Sequence, residues 1–150
     1  MSEPLQVLLV EDNPGDVDLT RESLEHSPLR IELTVAVSGT EALGILHRKG
    51  RFGSASRPDL VLLDLNLPGI DGRGVLAEIK QHAELRRIPV CVLTSSPAET
   101  DVVQSYDLGA NCYVVKPIDF RTFQEILRKV ENFWFTTARL PQRPEDEGGG

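Results

Sequence analysis

The chain has 150 residues, of which 40% are hydrophobic, and a formal net charge of −7. This length suits one ordinary globular domain with a real core. A duplex-DNA-binding protein needs a basic stripe to neutralise phosphates, and the acidic chain has none, so we predict no nucleic-acid partner. An anionic membrane surface is disfavoured for the same reason. The first apolar run is too short for a signal peptide or a spanning helix and has no basic residues before it, so we expect a cytoplasmic protein.

Five short apolar runs predict the strands of a sheet. They are rich in Val, Ile and Leu without clean alternation, which is typical of strands buried on both faces. The predicted strands cover residues 5–10, 31–37, 59–65, 88–94 and 111–117. Amphipathic stretches between and after them predict helices over residues 14–26, 40–49, 73–82, 98–108 and 120–137.

This strict alternation predicts an α/β fold with a doubly wound, five-stranded parallel sheet. Right-handed crossovers and the strand order 2-1-3-4-5 fit five such units, and the ligand crevice of this arrangement lies at the carboxyl ends of the strands. We expect one domain over residues 1–137. The tail over residues 138–150 has little apolar content and is expected to be largely disordered.

The two cysteines, Cys91 and Cys112, both lie in predicted strands. Two cysteines do not make a disulfide framework. We therefore interpret them as small buried apolar residues in a reducing compartment.

Polar residues follow four of the predicted strands where each strand ends. They are Glu11 and Asp12, Asp64, Thr94 with Ser95, and Lys116. The carboxyl ends of parallel strands share one edge of a sheet, so these side chains should lie together. Clustered carboxylates repel one another, and a hard cation such as Mg²⁺ relieves that repulsion.

Within this group, Asp12 and Asp64 are the expected direct ligands of Mg²⁺. The backbone carbonyl of Asn66 is a candidate third ligand, because the chain turns there. Glu11 is better suited to holding a metal-bound water.

Metal binding alone does not explain the hydroxyl of Thr94 or the ammonium of Lys116. Phosphoryl transfer does, because it depends on positioning and on neutralising charge on the phosphoryl oxygens. A carboxylate can act as nucleophile and form an aspartyl-phosphate. We therefore predict that Asp64 accepts a phosphoryl group, with Lys116 neutralising charge and Thr94 donating a hydrogen bond.

Each of these residues also has an ordinary structural interpretation. Asn13 before Pro14 is a typical N-cap, a lysine before proline often extends along the surface, and a threonine is common in strands. Taken singly, each of these interpretations is the more probable. Their convergence at one sheet edge favours a functional site.

The motifs Glu11-Asp12, VLLD ending in Asp64, Thr94-Ser95 and Lys116-Pro117 together resemble the receiver domain of bacterial two-component response regulators. The resemblance covers nearly the whole chain and implies a flavodoxin-like (βα)5 fold. It implies that Asp64 is the phosphoacceptor and that Thr94 and Tyr113 are switch residues. It also implies a protein that is not an enzyme, which supports its own phosphoryl transfer and slow dephosphorylation.

Longer segments resemble the small regulators that pair with bacterial phytochrome-type sensor kinases. They are LVEDNPGDVDLTRESL, PDLVLLDLNLPGIDGRGVLAEIK, SYDLGANCYVVKP and the closing FWF and ARLP. This narrower resemblance implies a phytochrome-type histidine kinase as partner. It also implies a homodimer.

The last predicted helix carries more apolar residues than one buried stripe requires. Its stripe consists of Phe120, Phe123, Leu127, Val130 and Trp134, spaced at three and four residues. Phe133 and Phe135 lie off that stripe. We therefore predict that they contribute to a protein contact, most simply self-association.

Two other functions are compatible with the sequence. A metal-dependent phosphatase of the haloacid dehalogenase type also forms an aspartyl-phosphate, but it needs a second acid two residues after the nucleophile, and Asn66 stands there. A phosphate-independent adaptor with a receiver-like fold is the other alternative, although none of the site residues is missing. Uptake of phosphate from acetyl phosphate distinguishes the adaptor from a phosphoacceptor.

Overall fold

The computed structural model of the chain describes residues 3–141 and contains a five-stranded parallel sheet. The strands are β1 (Leu5–Val10), β2 (Ile31–Ala36), β3 (Leu60–Leu63), β4 (Val90–Thr94) and β5 (Cys112–Val115). Their order is β2-β1-β3-β4-β5 and every neighbouring pair is parallel. The predicted fold class and strand order are confirmed.

Among residues 3–141, five α-helices connect or follow the strands. They are α1 (Pro14–Glu25), α2 (Gly39–Leu46), α3 (Gly72–Gln81), α4 (Glu99–Asp107) and α5 (Phe120–Asn132), with a 3-10 turn at Gly50–Phe52. Asn13 caps α1 through its side chain, which accepts a hydrogen bond from the N–H of Asp16 at 3.1 Å, as its position before Pro14 predicts. Within residues 3–141, no helix is long and apolar enough to cross a membrane.

The core has two halves because the strands are buried on both faces. On β1, Leu8 and Val10 pack toward α2 and α3, whereas Val7 and Leu9 pack in a cluster with α1 and α5. This alternation explains why the strands show continuous apolar runs. Beyond the strand ends, the carboxyl edge of the sheet carries polar side chains such as Glu11 and Asp64.

The C-terminal part of α5 differs from the prediction. The α-helix ends at Asn132 and a π-helical turn, Phe133–Thr137, follows it, so residues 120–137 are not one regular helix. The wider turn packs Trp134 and also Phe135 against the sheet cluster, so Phe135 is partly buried although it lies off the predicted stripe. Phe133 stays 50% exposed, as predicted.

Phe120 was placed wrongly in the buried stripe. It is 67% exposed because it is the first residue of α5, where the helix begins at the sheet edge and has not yet reached the sheet face. Of the predicted tail, residues 142–150 lie outside the described residues, so its predicted disorder stays a prediction.

A buried hydrogen bond joins α1 to α5. The hydroxyl of Ser23 donates to Oε2 of Glu131 at 2.6 Å, and both residues are buried. Burial raises the pKa of Glu131 above its ordinary value of 4.5, although the bond from Ser23 and the charge of Arg128 oppose this. Ionising Glu131 is therefore harder in the folded chain than in the unfolded one.

Replacing Glu131 with glutamine should make protein stability less sensitive to pH. Because the pKa of Glu131 is higher in the folded than in the unfolded chain, its protonated form contributes to stability. This contribution is fully present below the unfolded pKa and is lost as pH rises through the folded pKa. The neutral amide can still accept from Ser23. The measured quantity is the free energy of unfolding in urea. We expect the difference between variant and parent to favour the variant more at about pH 8 than at about pH 4. The matched change in exposed Glu125 should show no such trend, and an equal stability difference at both pH values would contradict the prediction.

Candidate functional site

The structure places the predicted site residues at one edge of the sheet. Glu11 and Asp12 directly follow β1, Asp64 directly follows β3, Thr94 is the last residue of β4, and Lys116 directly follows β5. The parallel register, with Val10 opposite Leu63 and Thr94 opposite Val115, aligns these strand ends. The side chains thus converge although they come from distant parts of the chain.

Three carboxylates form the acidic part of the site. One oxygen each from Glu11, Asp12 and Asp64 lies within 4.8 Å of the others. Glu11 and Asp64 are buried, and Asp12 is exposed. This set of clustered oxygen donors, open on the side of Asp12, suits a hard divalent cation.

Lys116 is the cation that faces these acids. Its ammonium donates to Oε1 of Glu11 in a very short contact, to Oδ2 of Asp16 at 2.9 Å and to Oδ2 of Asp64 at 3.3 Å. Burial alone would lower the pKa of Lys116, but the bonds to Asp16 and Glu11 outweigh it and raise the pKa above its ordinary value. Lys116 therefore remains charged.

Glu11 is a buried acid whose ionised form is disfavoured by its surroundings. It is only 2% exposed, and burial raises its pKa to about 7. The bond and charge of Lys116 lower the pKa, and the neighbouring charge of Asp64 raises it. The single ammonium does not compensate for the whole acidic cluster, so a further cation would be favourable there.

Asp16 is a site residue that sequence reasoning missed. It lies in the first turn of α1 and contacts the ammonium of Lys116. An acid at this position is ordinarily explained by the positive end of the helix dipole, so nothing singled it out. The one feature of the sequence that indicates a site role for Asp16 is its position shortly after Glu11 and Asp12, which follow the end of β1.

The side-chain hydroxyl of Thr94 contributes no hydrogen bond to the described part of the fold. The residue is fully buried, and its Oγ1 has no hydrogen-bond partner among the residues the structure describes. A buried hydroxyl without a partner is unfavourable and uncommon in native proteins. At the end of β4, this group is free to donate to an acceptor that enters the site.

Tyr113 connects the sheet to the loop between β4 and α4. Its hydroxyl donates to the carbonyl of Ser96 at 2.8 Å, and Ser96 Oγ donates to Asp101 Oδ2 at 2.6 Å. Arg73 on α3 in turn donates to Asp101 Oδ1 at 2.5 Å and to Gln104 at 2.9 Å. A continuous polar chain therefore runs from β5 through the loop to α4 and α3.

The loop after Asp64 is fixed by close backbone packing. The N–H of Asn66 donates to Oδ1 of Asp64 at 3.2 Å, and the N–H of Gly72 donates to the carbonyl of Leu65 at 2.8 Å. A Cβ on Gly72 would overlap the backbone of Asp64 and Leu65, so only glycine lets α3 begin there. These contacts hold the carboxylate of Asp64 in place. Ligation by the carbonyl of Asn66 stays a prediction.

Comparison with known proteins defines the class to which this fold and site belong. Residues 7–128 match the response regulator receiver domain. The chain belongs to this family. The resemblance seen in the sequence is thereby confirmed.

Among its relatives is the response regulator Rcp1 of a Synechocystis species, which is 45% identical over 92% of this chain and 94% of Rcp1. The crystal structure of the phosphorylated cyanobacterial phytochrome response regulator RcpA matches with a TM-score of 0.91 and 46% identity, over 93% of this chain and all of RcpA. The Mn²⁺-bound form of Rcp1 matches with a TM-score of 0.90 and 45% identity, over the same shares of the two chains. The protein is therefore a receiver-type response regulator, closely related to Rcp1 and to the cyanobacterial phytochrome response regulator RcpA.

Proposed function

We propose that the chain receives a phosphoryl group on Asp64 from a phosphohistidine of a phytochrome-type sensor kinase. The observation that carries this proposal is the ammonium of Lys116, which lies between the carboxylates of Asp64 and Glu11. A carboxylate oxygen of Asp64 attacks phosphorus, the bond to the imidazole nitrogen of the donor breaks, and an acyl phosphate forms. The similarity to RcpA, whose crystal structure is of the phosphorylated protein, supports this chemistry.

The acidic cluster is proposed to hold Mg²⁺. Asp12, Asp64 and the carbonyl of Asn66 would provide protein oxygens, and Glu11 would hold a bound water. When bound, the ion neutralises charge on the phosphoryl oxygens. The three clustered carboxylates, and the Mn²⁺-bound form of the relative Rcp1, support a divalent metal here.

The remaining site residues would act directly on the phosphoryl group or position those that do. Lys116 pairs with a phosphoryl oxygen, while Asp16 holds its ammonium in place from α1. Thr94 donates its unpaired hydroxyl to another oxygen. The phosphoryl group therefore gives this buried hydroxyl the partner that it lacks.

The signal would pass from Thr94 to the loop between β4 and α4. A pull on Thr94 changes the loop that carries Ser96, and Ser96 is bound to both Tyr113 and Asp101. Two packings of α4 and β5 would then differ in energy, and phosphorylation would shift their populations. The acyl phosphate hydrolyses slowly at the same site, so the protein is a switch without a turnover substrate.

Phosphoryl uptake with and without magnesium tests this function. We expect the parent protein to become phosphorylated by a phosphorylated sensor kinase, and by acetyl phosphate, when Mg²⁺ is present. A chelator should suppress both reactions, because the clustered acids would then repel the incoming phosphoryl group. Equal uptake with chelator, or none with either donor, would contradict the proposal.

Self-association is a second part of the proposal, and its prediction concerns Phe133. This side chain is half exposed and packs edge-to-face on Trp134, with ring centroids 5.0 Å apart. We expect Phe133→Asp to shift a dimeric parent toward monomer in sedimentation at micromolar concentration, because a charge would be buried in the contact. Phe135 is less suitable for this test because it packs within its own chain.

The matched control is Val37→Asp, which adds the same charge at an exposed apolar residue directly after β2, the edge strand opposite β5. It should leave the oligomeric state unchanged. A parent that is already monomeric at micromolar concentration would end the dimer proposal.

A further inference from the structure

The two cysteines form a pair within the sheet, separate from the acidic site. Cys91 on β4 lies directly opposite Cys112 on the parallel neighbour β5. Both are free cysteines, and both side chains belong to the apolar cluster between the sheet and helices α1 and α5. The prediction that they are simply buried apolar residues omits this direct juxtaposition.

The spacing of adjacent strands permits a bond between such a pair. Neighbouring strands lie about 4.8 Å apart. This spacing falls within the range of about 4.4–6.8 Å between the Cα atoms of disulfide-bonded cysteines. Opposite residues of parallel strands also project to the same face of the sheet. The two thiols therefore need little backbone movement to meet.

The environments of the two thiols differ in ways that assign them different roles. Cys91 is fully buried, whereas Cys112 is only partly buried on β5, the edge strand. Hydrogen bonding from Cys91, and further from Trp134, outweighs burial and lowers the pKa of the Cys112 thiol. The interaction with Cys112, together with burial, raises the pKa of Cys91. Cys112 is thus the more accessible and the more easily ionised of the two.

We propose that Cys91 and Cys112 form a reversible oxidation site, in which a small hydroperoxide converts the facing thiols to a disulfide within one chain. The Cys112 thiolate attacks one peroxide oxygen. The O–O bond breaks, the leaving oxygen takes a proton to become water or an alcohol, and Cys112 becomes a sulfenic acid. The Cys91 sulfur then attacks the Cys112 sulfur, the S–O bond breaks, and water leaves. Two thiols are oxidised and one peroxide is reduced.

The site has a nearby structural consequence. Trp134 belongs to the π-helical turn and packs in the same cluster as both cysteines. Oxidation ties together two sulfurs of the cluster that contains Trp134, so the packing of Trp134 and of its turn should change. Because Cys112 is only partly buried on the edge strand, a thiol reductant can reach the disulfide and reverse it. Oxidation of this cysteine pair does not require phosphorylation of Asp64.

The test uses the full chain, reduced and then treated with hydrogen peroxide while folded. We expect its mass to fall by two hydrogen atoms and a peptide linking residues 91 and 112 to appear. Dithiothreitol should reverse both changes. Trp134 is the chain's single tryptophan, and its fluorescence should change in parallel with disulfide formation.

Two variants separate the proposed roles. Cys91→Ser should gain oxygen at Cys112, because the sulfenic acid has no resolving thiol, whereas Cys112→Ser should leave Cys91 unmodified. Unmodified thiols in the peroxide-treated folded parent, or a disulfide formed only between chains, would overturn the proposal. So would the reverse order of reactivity, in which the Cys91 thiol of Cys112→Ser reacts faster than the Cys112 thiol of Cys91→Ser.

Discussion

Replacing Asp64 with asparagine is expected to reduce phosphoryl uptake by at least about 100-fold. The amide has neither the nucleophilic carboxylate nor the negative charge that faces Lys116. The fold should persist, because asparagine has nearly the same size and can still accept the hydrogen bond from the N–H of Asn66. The measurement is the rate of phosphoprotein formation from acetyl phosphate with magnesium, followed on a phosphate-affinity gel.

The control for this variant is Asp107→Asn. Asp107 is an exposed aspartate at the end of α4, so the same chemical change there should leave uptake at the parent level. If Asp64→Asn were labelled as fast as Asp107→Asn, the phosphoacceptor assignment would be wrong.

Removing the ammonium of Lys116 should have the second large effect. In Lys116→Met, the carboxylates of Glu11, Asp64 and Asp16 face one another without their shared cation. Breaking a buried ion pair in this way destabilises a protein by about 3–5 kcal/mol. We expect a loss of about 3 kcal/mol in urea unfolding at neutral pH with chelator present. Phosphoryl uptake should also fall strongly.

Magnesium should return part of the stability that Lys116→Met loses, because a divalent cation at the acidic cluster lowers the repulsion. The loss should also be smaller at acidic than at alkaline pH, because Glu11 takes up a proton more readily once the ammonium that lowers its pKa is gone. Lys129→Met on the exposed face of α5 provides the control and should change stability little. A Lys116→Met protein as stable as this control would contradict the electrostatic description of the site.

The fold and most of the candidate site could be predicted because both depend on short-range patterns. Continuous apolar runs such as Val61–Leu63 indicate strands buried on both faces, and the end of each run marks the sheet edge. Glu11, Asp64 and Lys116 directly follow such runs, so topology alone brings them together. Their convergence needed no knowledge of side-chain geometry.

The missed features depend on packing that no local pattern reports. Asp16 lies on a helix, where an acid in the first turn has a sufficient local explanation. The π-helical turn after Asn132 changes the periodicity at the point where Trp134 and Phe135 occur, so a stripe counted at three and four residues leaves out Phe135, which is partly buried. The buried bond between Ser23 and Glu131 joins residues more than a hundred positions apart.

The polar chain from Tyr113 to Arg73 also lies beyond the reach of sequence reasoning. Tyr113 was predicted as a switch residue, but Ser96, Asp101 and Arg73 were not linked to it. The structure joins them through hydrogen bonds of 2.8, 2.6 and 2.5 Å. The proposed switch therefore includes α3 as well as β5 and α4. Such a link depends on how two helices dock, which is decided by the whole fold.

Chemical trapping of the phosphorylated residue tests the central claim most directly. Borohydride reduces an aspartyl-phosphate to homoserine, which peptide mass spectrometry can locate after the protein has reacted with acetyl phosphate and magnesium. Homoserine should be found at position 64 and should be lost when chelator replaces magnesium. Homoserine at position 12 or 16 with position 64 unchanged, or none after confirmed phosphate uptake, would contradict the assignment of Asp64 as the acceptor.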